Sequence, residues 1–400
     1  QSLFAMERHM DRIAQVVGLS PVEIRRQNFL KPGQTTTTGQ TIREEVDLDR
    51  LLSRALELSG YAGKKTRFAE ENKTGMHKKG IGIATFLHGA GFTGSGERYL
   101  NSLVGVEAGA DGGVRVLVSS AEFGQGTNTV LCQIAAEALA LPYESVAIAQ
   151  PDTTVVPNSG PTVASRTAMI VGKLVQSAAK EIKETLTKTG LLGNDYTPEQ
   201  FRAACREYIA AHETLKSYAR YEAPGDVYWD DEKYRGEAYA AFAWAVYVAE
   251  VSVDLTTYAV TVDDFVALQE VGKVLHPVLA EGQITGGVAQ AIGFALYEKV
   301  VWQNGRMINN QMTNYIMPTS ADLPPIRVFF EQLGNVHGAH GAKGIGELPM
   351  DGPAPAIVNG VEDAIGVRFR SIPLLPEDVF EALQPEPPRQ QGPSSTRGTT

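Results

Sequence analysis

One apolar stretch near the middle of the chain, residues 241–272, most constrains what this protein can fold into. It reads AFAWAVYVAEVSVDLTTYAVTVDDFVALQEVG, two long runs rich in Val, Ala and aromatic residues on either side of Thr256 and Thr257. Such runs predict strands, and the polar break between them predicts a turn. We therefore expect a long β-hairpin, and together with the helices described next it predicts an α+β fold.

The N-terminal region predicts helices. Apolar residues recur there at helical spacing and fall on one face of an amphipathic helix: Leu3, Met6, Met10, Ile13 and Val17. This helix should end near Gly18. Ser20, Pro21 and Glu23 then form the pattern of a capping box with proline at the first helical position, which predicts a second helix.

A chain of 400 residues is too long for one compact core. We expect a helical segment and linker (1–76), a first lobe (77–240), a second lobe of similar size (241–385) and a disordered tail (386–400). Within these ranges, residues 47–59 predict a helix, 64–79 a polar linker and 195–220 a polar helical insertion. Both lobes should be mixed α/β layers.

Charge and cysteine content exclude several classes of protein. The net charge of −10 and the lack of a basic stripe argue against a nucleic-acid partner. Cys132 and Cys205 are too few for an iron–sulfur cluster or a four-cysteine zinc site, and they fit a reducing, cytoplasmic location. No apolar run is long enough to predict a transmembrane helix.

Two loops that precede helices could bind an anion. In the glycine turn, Gly124-Gln125-Gly126, a strand leads into a helix that should start near Thr127, and helix N-termini attract negative charge. A tight turn that merely needs glycine explains the pattern equally well. It is not a dinucleotide fingerprint, because Thr129 stands where that motif needs glycine.

The hydroxyl loop, residues 157–167 (PNSGPTVASRT), is the second of these. It offers Ser159, Thr162, Ser165 and Thr167, which could surround a phosphate or a polar heterocycle. The alternative is a helix cap with a long approach. Two such loops together favour a phosphate-bearing cofactor more than either does alone.

The glutamate loop, residues 341–349 (GAKGIGELP), places Glu347 among glycines. A ligand could approach its backbone closely, and a carboxylate in a poorly solvated loop can act as a base near neutral pH. Lys343 could anchor an anion or pair with the glutamate. Composition alone favours an ordinary solvated loop.

Other chemistry is less well supported. His337 and His340 form an H-x-x-H pair in a loop, which leaves zinc ligation open, but no third ligand has a suitable spacing. Cys132 falls within an apolar helix, where core packing explains it better than nucleophilic catalysis.

Three separated blocks of the sequence are EFGQGTNTVLCQIAAEAL, VVPNSGPTVASRT and GAKGIGELPMDGPAPAIVNGVEDAIG. In order and spacing they resemble the molybdopterin-binding subunit of the xanthine dehydrogenase and aldehyde oxidase family. SPVEIRRQNFL and EGQITGGVAQAIGFALYE are also similar to that family. The resemblance covers nearly the whole chain, from residue 1 to about 385. No single motif is specific, but the ordered set is.

The resemblance implies a role for each matching residue. Glu347 matches the catalytic base, which deprotonates a hydroxide on molybdenum, and the pterin dithiolene rather than the protein holds the metal. The implied cofactor-binding residues are Gly124, Gln125, Gly126, Thr162, Val163, Ala164, Ser165, Gln283 and, as a neighbour of the base, Lys343. Phe92 and Thr93 fall where the family builds its substrate pocket.

The sequence also departs from the family pattern. Leu348 stands where the family has the first proline after the base, and Val163 where a smaller residue is common. The first half of the family's molybdenum domain does not match anything here, so we expect a C-terminal half, as a split subunit or a fragment.

The implied function is oxidative hydroxylation, with water as the oxygen source, of a purine- or xanthine-like N-heterocycle or of an aldehyde. The cofactor would be molybdenum with molybdopterin, possibly as a dinucleotide. Implied partners are the missing N-terminal half, an iron–sulfur subunit and an FAD subunit. The alternative is a non-catalytic half-domain that binds a cofactor or partner and needs another chain for activity.

Overall fold

The computed structural model describes residues 1–384. The tail predicted to be disordered, 386–400, lies outside the described residues. Within them, no helix combines the length and the apolar character needed to cross a membrane.

Four helices open the described chain, and helices and strands follow in mixed order. The helices are α1 Ser2–Val17, α2 Pro21–Asn28, α3 Leu48–Ser59, α4 Tyr61–Glu71, α5 Gly96–Leu100, α6 Thr127–Leu139, α7 Gly172–Lys188, α8 Pro198–His212, α9 Pro277–Leu296, α10 Leu348–Asp351, α11 Pro353–Ile365 and α12 Pro376–Leu383. The strands are β1 His77–Gly89, β2 Leu103–Ala108, β3 Val114–Leu117, β4 Val146–Ile148, β5 Leu215–Arg220, β6 Trp229–Asp230, β7 Arg235–Gly236, β8 Phe242–Asp254, β9 Val260–Glu270, β10 Trp302–Gln303, β11 Arg306–Met307 and β12 Ile326–Glu331.

One lobe is built on a four-stranded sheet, the main sheet, with the strand order β1-β8-β9-β12. The hairpin expected at Thr256 is its centre, with β8 antiparallel to β9 and β12 parallel to β9. Side chains of β8 alternate between two cores, so that Ala245 and Tyr247 pack with α9 and α11 while Trp244 and Val246 pack with α3. Both faces of the sheet are therefore covered by helices.

The other lobe is a smaller sheet in the order β4-β3-β2-β5, covered by α6, α7 and α8. The lobes divide differently from the boundary expected near residue 240. β1 pairs antiparallel with β8 along its whole length, from His77 opposite Asp254 to Gly89 opposite Phe242. The smaller lobe is thus inserted between β1 and β8, an arrangement set by hydrogen bonds between strands that are remote in sequence.

Two segments differ from their local sequence predictions. Most of the expected polar linker at 64–79 belongs to α4 and the start of β1. Phe68 of α4 is buried against the main sheet, and this packing stabilises a helix whose sequence is mostly polar. The expected helical insertion at 195–220 contains α8 but ends in β5, which pairs with β2.

α1 also packs differently from its apolar pattern. Met6 and Val17 of the expected face are exposed, whereas Ala14 and Glu7 are buried. The Glu7 carboxylate pairs with buried Arg25 and accepts a hydrogen bond from the backbone of Thr85. A paired charge can occupy the buried face because its partner replaces the lost water.

Candidate active site

A cavity of about 340 Å³ lies where the two lobes meet. Its walls come from four segments: the glycine turn with the start of α6, the hydroxyl loop, the connection from β9 into α9, and the glutamate loop. Its volume is within the range of small-molecule and cofactor sites. The cavity brings together residues predicted from sequence, namely Gln125, Thr162, Val163, Ala164, Ser165, Gln283, Lys343 and Glu347.

The hydroxyl loop is held in place by one of its own residues, Arg166, which is fully buried. Its guanidinium donates to both carboxylate oxygens of Glu97, at 2.8 to 3.1 Å, and to the carbonyl oxygen of Ser159 at 2.9 Å. Two consecutive non-glycine residues of the loop, Ala164 and Ser165, have φ of 54° and 53°, a sparsely populated conformation. The buried ion pair holds this loop in a shape that its own residues do not favour.

Glu347 is connected to the hydroxyl loop through Ser165. The Ser165 hydroxyl donates to Glu347 Oε2 at 3.0 Å and accepts from the Glu347 backbone N–H at 3.0 Å. The Glu347 side chain is 54% exposed. The expected poorly solvated carboxylate is therefore not produced by the described protein groups alone.

The same carboxylate oxygen has a second partner, His88 at the end of β1. Its Nε2 lies 3.2 Å from Glu347 Oε2, and its Nδ1 lies 2.7 Å from Asp351 Oδ2. Burial disfavours the imidazolium, but the hydrogen bond and charge of Asp351, then those of Glu347, outweigh burial and raise the pKa of His88. Sequence reasoning missed His88, because no motif near it predicts a contact with Asp351 or Glu347.

The glycine turn binds an anion of its own chain. Glu122 accepts hydrogen bonds from the backbone N–H groups of Gly124 at 2.8 Å, Gly126 at 3.0 Å and Asn128 at 3.0 Å. Burial would raise the pKa of Glu122, but these backbone hydrogen bonds lower it overall. The helix start thus has the anion preference inferred from sequence, and Glu122, which sequence reasoning missed, satisfies it.

The Gln125 side chain stabilises the same turn. Its amide nitrogen donates to the Ala121 carbonyl at 2.8 Å and to Thr127 Oγ1 at 2.9 Å, and its oxygen accepts from Phe123 N–H at 2.8 Å. Gln125 borders the cavity, and both its amide nitrogen and its oxygen are hydrogen-bonded within the turn. Gln283, on α9, also borders the cavity.

Lys343 lies in the cavity wall, but its ammonium group is bonded to buried groups of the protein. The side chain is 1% exposed and forms an ion pair with equally buried Glu270. Its Nζ also donates to the carbonyl oxygen of Phe242 at 2.7 Å. Of the two possibilities raised by the sequence, anchoring an anion or pairing with Glu347, the structure contains neither, because the lysine is paired with Glu270.

The glycines of the glutamate loop have different environments. A Cβ on Gly344 would collide with the carbonyl oxygen of Ser165, whereas one on Gly346 would have Ser165 Oγ as its nearest neighbour, at 3.6 Å. Gly344 is therefore required for the close approach of the hydroxyl loop. The room predicted for a ligand is, at this position, filled by the protein itself.

Phe92 and Thr93 are not part of the cavity wall. Thr93 Oγ1 is 2.6 Å from the Tyr239 hydroxyl, and the Phe92 backbone N–H donates to Glu97 at 3.1 Å. Their loop adjoins the site through Gly91, whose N–H donates to the Ala164 carbonyl at 2.9 Å. A substrate-pocket role for these two residues stays a prediction.

The zinc alternative has no support in the geometry. His337 lies 3.7 Å from Asp226, while His340 lies 3.3 Å from Glu137, so the two histidines have different partners. Across residues 1–384, no group of three or more His, Cys, Asp or Glu side chains could hold a metal ion. Cys132 and Cys205 are buried free thiols whose pKa values are raised by burial.

The cavity wall combines apolar side chains with a few polar ones. Val130, Leu131 and Leu279 supply apolar surface, while the Gln283 amide and the Ser165 hydroxyl supply polar groups. Such a combination of apolar walls and a few convergent polar groups is typical of cofactor sites. The lining therefore suits the pterin that the sequence resemblance implies.

Comparison with known proteins gives a consistent result. Residues 54–324 match the model of a family described as molybdopterin cofactor-binding domain. Aldehyde oxidoreductase of Megalodesulfovibrio gigas is 31% identical over 96% of this chain and 41% of its own length. The putative xanthine dehydrogenase molybdenum-binding subunit of Escherichia coli is 29% identical over 95% of this chain and 52% of its own.

Solved structures show the same similarity in three dimensions. Quinoline 2-oxidoreductase of Pseudomonas putida superimposes with a TM-score of 0.83 at 29% identity, over 96% of this chain and 52% of that one. The chain thus spans about half the length of the relatives it matches.

Proposed function

Because this chain belongs to the molybdopterin cofactor-binding domains of the xanthine dehydrogenase and aldehyde oxidase family, we propose that it is part of a molybdenum hydroxylase with Glu347 as general base. The single observation that carries the proposal is the position of Glu347. Its carboxylate borders the same cavity as the hydroxyl loop and Gln283 and is fixed there by Ser165.

The residues that would hold the cofactor are those of the cavity wall. Gln283 and Ser165 would donate to or accept from the polar edge of the pterin, and Val163, Ala164 and the glycine turn would contact it. When bound, the cofactor would supply the two-electron oxidation and the activation of water. The protein would supply the binding, the orientation and the base.

Glu347 would take up a proton at Oε1. Oε2 accepts one hydrogen bond from Ser165, and His88 lies within hydrogen-bond distance of the same oxygen. Oε1 would then accept the proton released as water is activated, a step that general-base catalysis accelerates by roughly 10²- to 10⁴-fold. A bound cofactor would also cover the exposed side of the carboxylate.

The substrate class in this proposal is a purine- or xanthine-like N-heterocycle or an aldehyde. The matched relatives carry names of both kinds, aldehyde oxidoreductase and xanthine dehydrogenase subunit. Since this chain spans half of them, the proposed partners are the N-terminal half of the molybdenum domain, an iron–sulfur subunit and an FAD subunit. A cytoplasmic location belongs to the same proposal and is supported by the two free thiols.

The test is to purify the chain together with the products of its neighbouring genes and to measure molybdenum and pterin per chain. Hydroxylation is assayed with xanthine, hypoxanthine and aromatic aldehydes and an artificial electron acceptor. We expect the cofactor and turnover of at least one substrate class. Absence of molybdenum from every assembly would refute the proposal.

The Glu347→Gln variant tests the base. It should keep its molybdenum and lose at least about 10²-fold in kcat, because the amide cannot accept the proton. Full activity in this variant would exclude Glu347 as the base. Cofactor content without turnover in the wild-type assembly would instead support the non-catalytic half-domain.

A further inference from the structure

His88 lies between two carboxylates that come from the segment following the glutamate loop. It occupies the penultimate position of β1, opposite Ala243 of β8. Asp351, at the end of α10, is 2.7 Å from Nδ1, and Glu347, directly before α10, is 3.2 Å from Nε2. The imidazole thereby connects the main sheet to the carboxylate at the cavity.

The protonation of His88 decides what this contact does. An ionised carboxylate only accepts hydrogen bonds, so a neutral imidazole can satisfy one of its two neighbours and presents a lone pair to the other. The imidazolium donates to both. With Nδ1 held by Asp351, the proton on Nε2 is the one that faces Glu347 Oε2.

The two oxygens of Glu347 differ in their surroundings. Oε2 accepts from Ser165 at 3.0 Å and lies next to His88, whereas Oε1 accepts no hydrogen bond from any group of residues 1–384. Two donors on one oxygen fix the plane of the carboxylate and leave the other oxygen available. A base must be held in its productive geometry in this way to be effective.

We propose that His88 is a positioning residue for Glu347: its imidazolium, anchored by Asp351, binds Oε2 and presents Oε1 to the cavity. This inference rests on the function proposed above for Glu347. His88 does not itself touch the substrate in this arrangement. It keeps the carboxylate in one orientation between turnovers.

A dependence on pH follows. The charged groups acting on His88 are Asp351 of α10 and Glu347 of the glutamate loop, and Tyr247 of β8 faces Asp351 in turn. When the pH rises above the raised pKa of His88, Nε2 loses its proton and no longer binds Oε2. The rate constant kcat should then fall on the alkaline side.

The kinetic test uses three variants of the complete assembly. His88→Leu removes both nitrogens, whereas His88→Gln keeps an N–H donor for Oε2. His9→Leu changes an exposed histidine of α1 and is the matched control. We expect kcat to fall about 10- to 100-fold in His88→Leu with KM and molybdenum content nearly unchanged, to recover in part in His88→Gln, and to stay at the wild-type value in His9→Leu.

The second readout does not need activity or cofactor. Diethyl pyrocarbonate reacts with neutral imidazole, and mass spectrometry of the peptide that contains His88 gives its labelling rate at each pH. The His88 side chain is 22% exposed, which admits the reagent. Asp351→Asn and Glu347→Gln should each move the midpoint of His88 labelling to lower pH, while labelling of His9 stays the same.

The two readouts separate this inference from the proposed function. If the wild-type assembly hydroxylates and Glu347→Gln is inactive, but His88→Leu retains full kcat, the positioning role is wrong and the base assignment stands. If the wild type has neither molybdenum nor activity, the proposed function fails. The labelling experiment alone then tests whether Asp351 and Glu347 act on His88. An unchanged His88 midpoint in both Asp351→Asn and Glu347→Gln would then overturn the link between the three side chains.

Discussion

Ser165 and Glu347, 182 residues apart in the chain, exchange two hydrogen bonds of 3.0 Å through a single hydroxyl group. One bond fixes the backbone at Glu347 and the other fixes its carboxylate. The hydroxyl loop and the glutamate loop are therefore one unit at the cavity. Changes in either loop should affect the other.

Ser165→Ala should weaken the orientation of Glu347 without removing its carboxylate. Loss of the hydroxyl leaves the Glu347 N–H without its partner and releases one of the two groups that hold Oε2. We expect kcat to decrease about tenfold with molybdenum content retained. Ser119→Ala removes a hydroxyl group that contacts Ser159 of the same loop, and it is the control for general loosening of that loop. Equal losses in both variants would contradict a specific effect.

Gly344→Ala and Gly346→Ala form a matched pair. The added methyl group collides with the Ser165 carbonyl at position 344, whereas at position 346 its nearest neighbours are Ser165 Oγ at 3.6 Å and Ser165 Cα at 3.7 Å. Gly344→Ala should therefore separate the two loops and lower both cofactor content and activity, while Gly346→Ala should assemble normally. Molybdenum content per chain measures the difference. Similar behaviour of the two variants would argue against the close approach described here.

Lys343→Met should reduce stability by about 3–5 kcal/mol, because it leaves the buried Glu270 carboxylate without its charge partner. The double variant Lys343→Met/Glu270→Gln removes both charges and keeps an oxygen for the backbone N–H groups of Gly272 and Leu333. It should recover much of the loss. Denaturant unfolding of the assembly measures this. A double variant that is stable but lacks cofactor would contradict this purely structural role of Lys343.

Glu122→Gln should show a pH-dependent loss of stability. The folded-state pKa of Glu122 is lowered, so its contribution is present above the unfolded pKa of about 4.3 and is lost as the pH falls through the folded value. At pH 7 the loss should be about 1 kcal/mol, as for other residues that cap a helix start. Thermal unfolding at pH 7 and pH 3.5 measures it, with exposed Glu57→Gln of α3 as the control. A difference that persists undiminished at low pH would contradict the assignment.

Much of the fold was predictable wherever short-range interactions decide it. Ser20 and Glu23 form the expected capping box, α1 ends at Val17 with Gly18 as its cap, and α6 begins at Thr127. The central hairpin turns where its polar break predicted. These features depend on neighbours within a few residues, so the local sequence contains the information that they need.

The candidate site was predictable only in part. Glu347, Ser165 and Gln283 line one cavity, and their roles toward a cofactor stay predictions. His88 and Arg166 were missed, because a lone histidine at a strand end and an arginine in a loop have no local pattern that predicts their partners. Phe92 and Thr93, expected near the substrate, lie outside the cavity wall.

The sequence by itself determined the family, the places where many helices begin and end, and several of the short segments that line the cavity. Only the tertiary structure decided that β1 joins β8, that Glu122 rather than a ligand occupies the helix start, and that Lys343 pairs with Glu270. The physical reason is that strand pairing and buried ion pairs depend on which groups lose water together. For β1 with β8 and for Lys343 with Glu270, that choice is made between residues far apart in the chain.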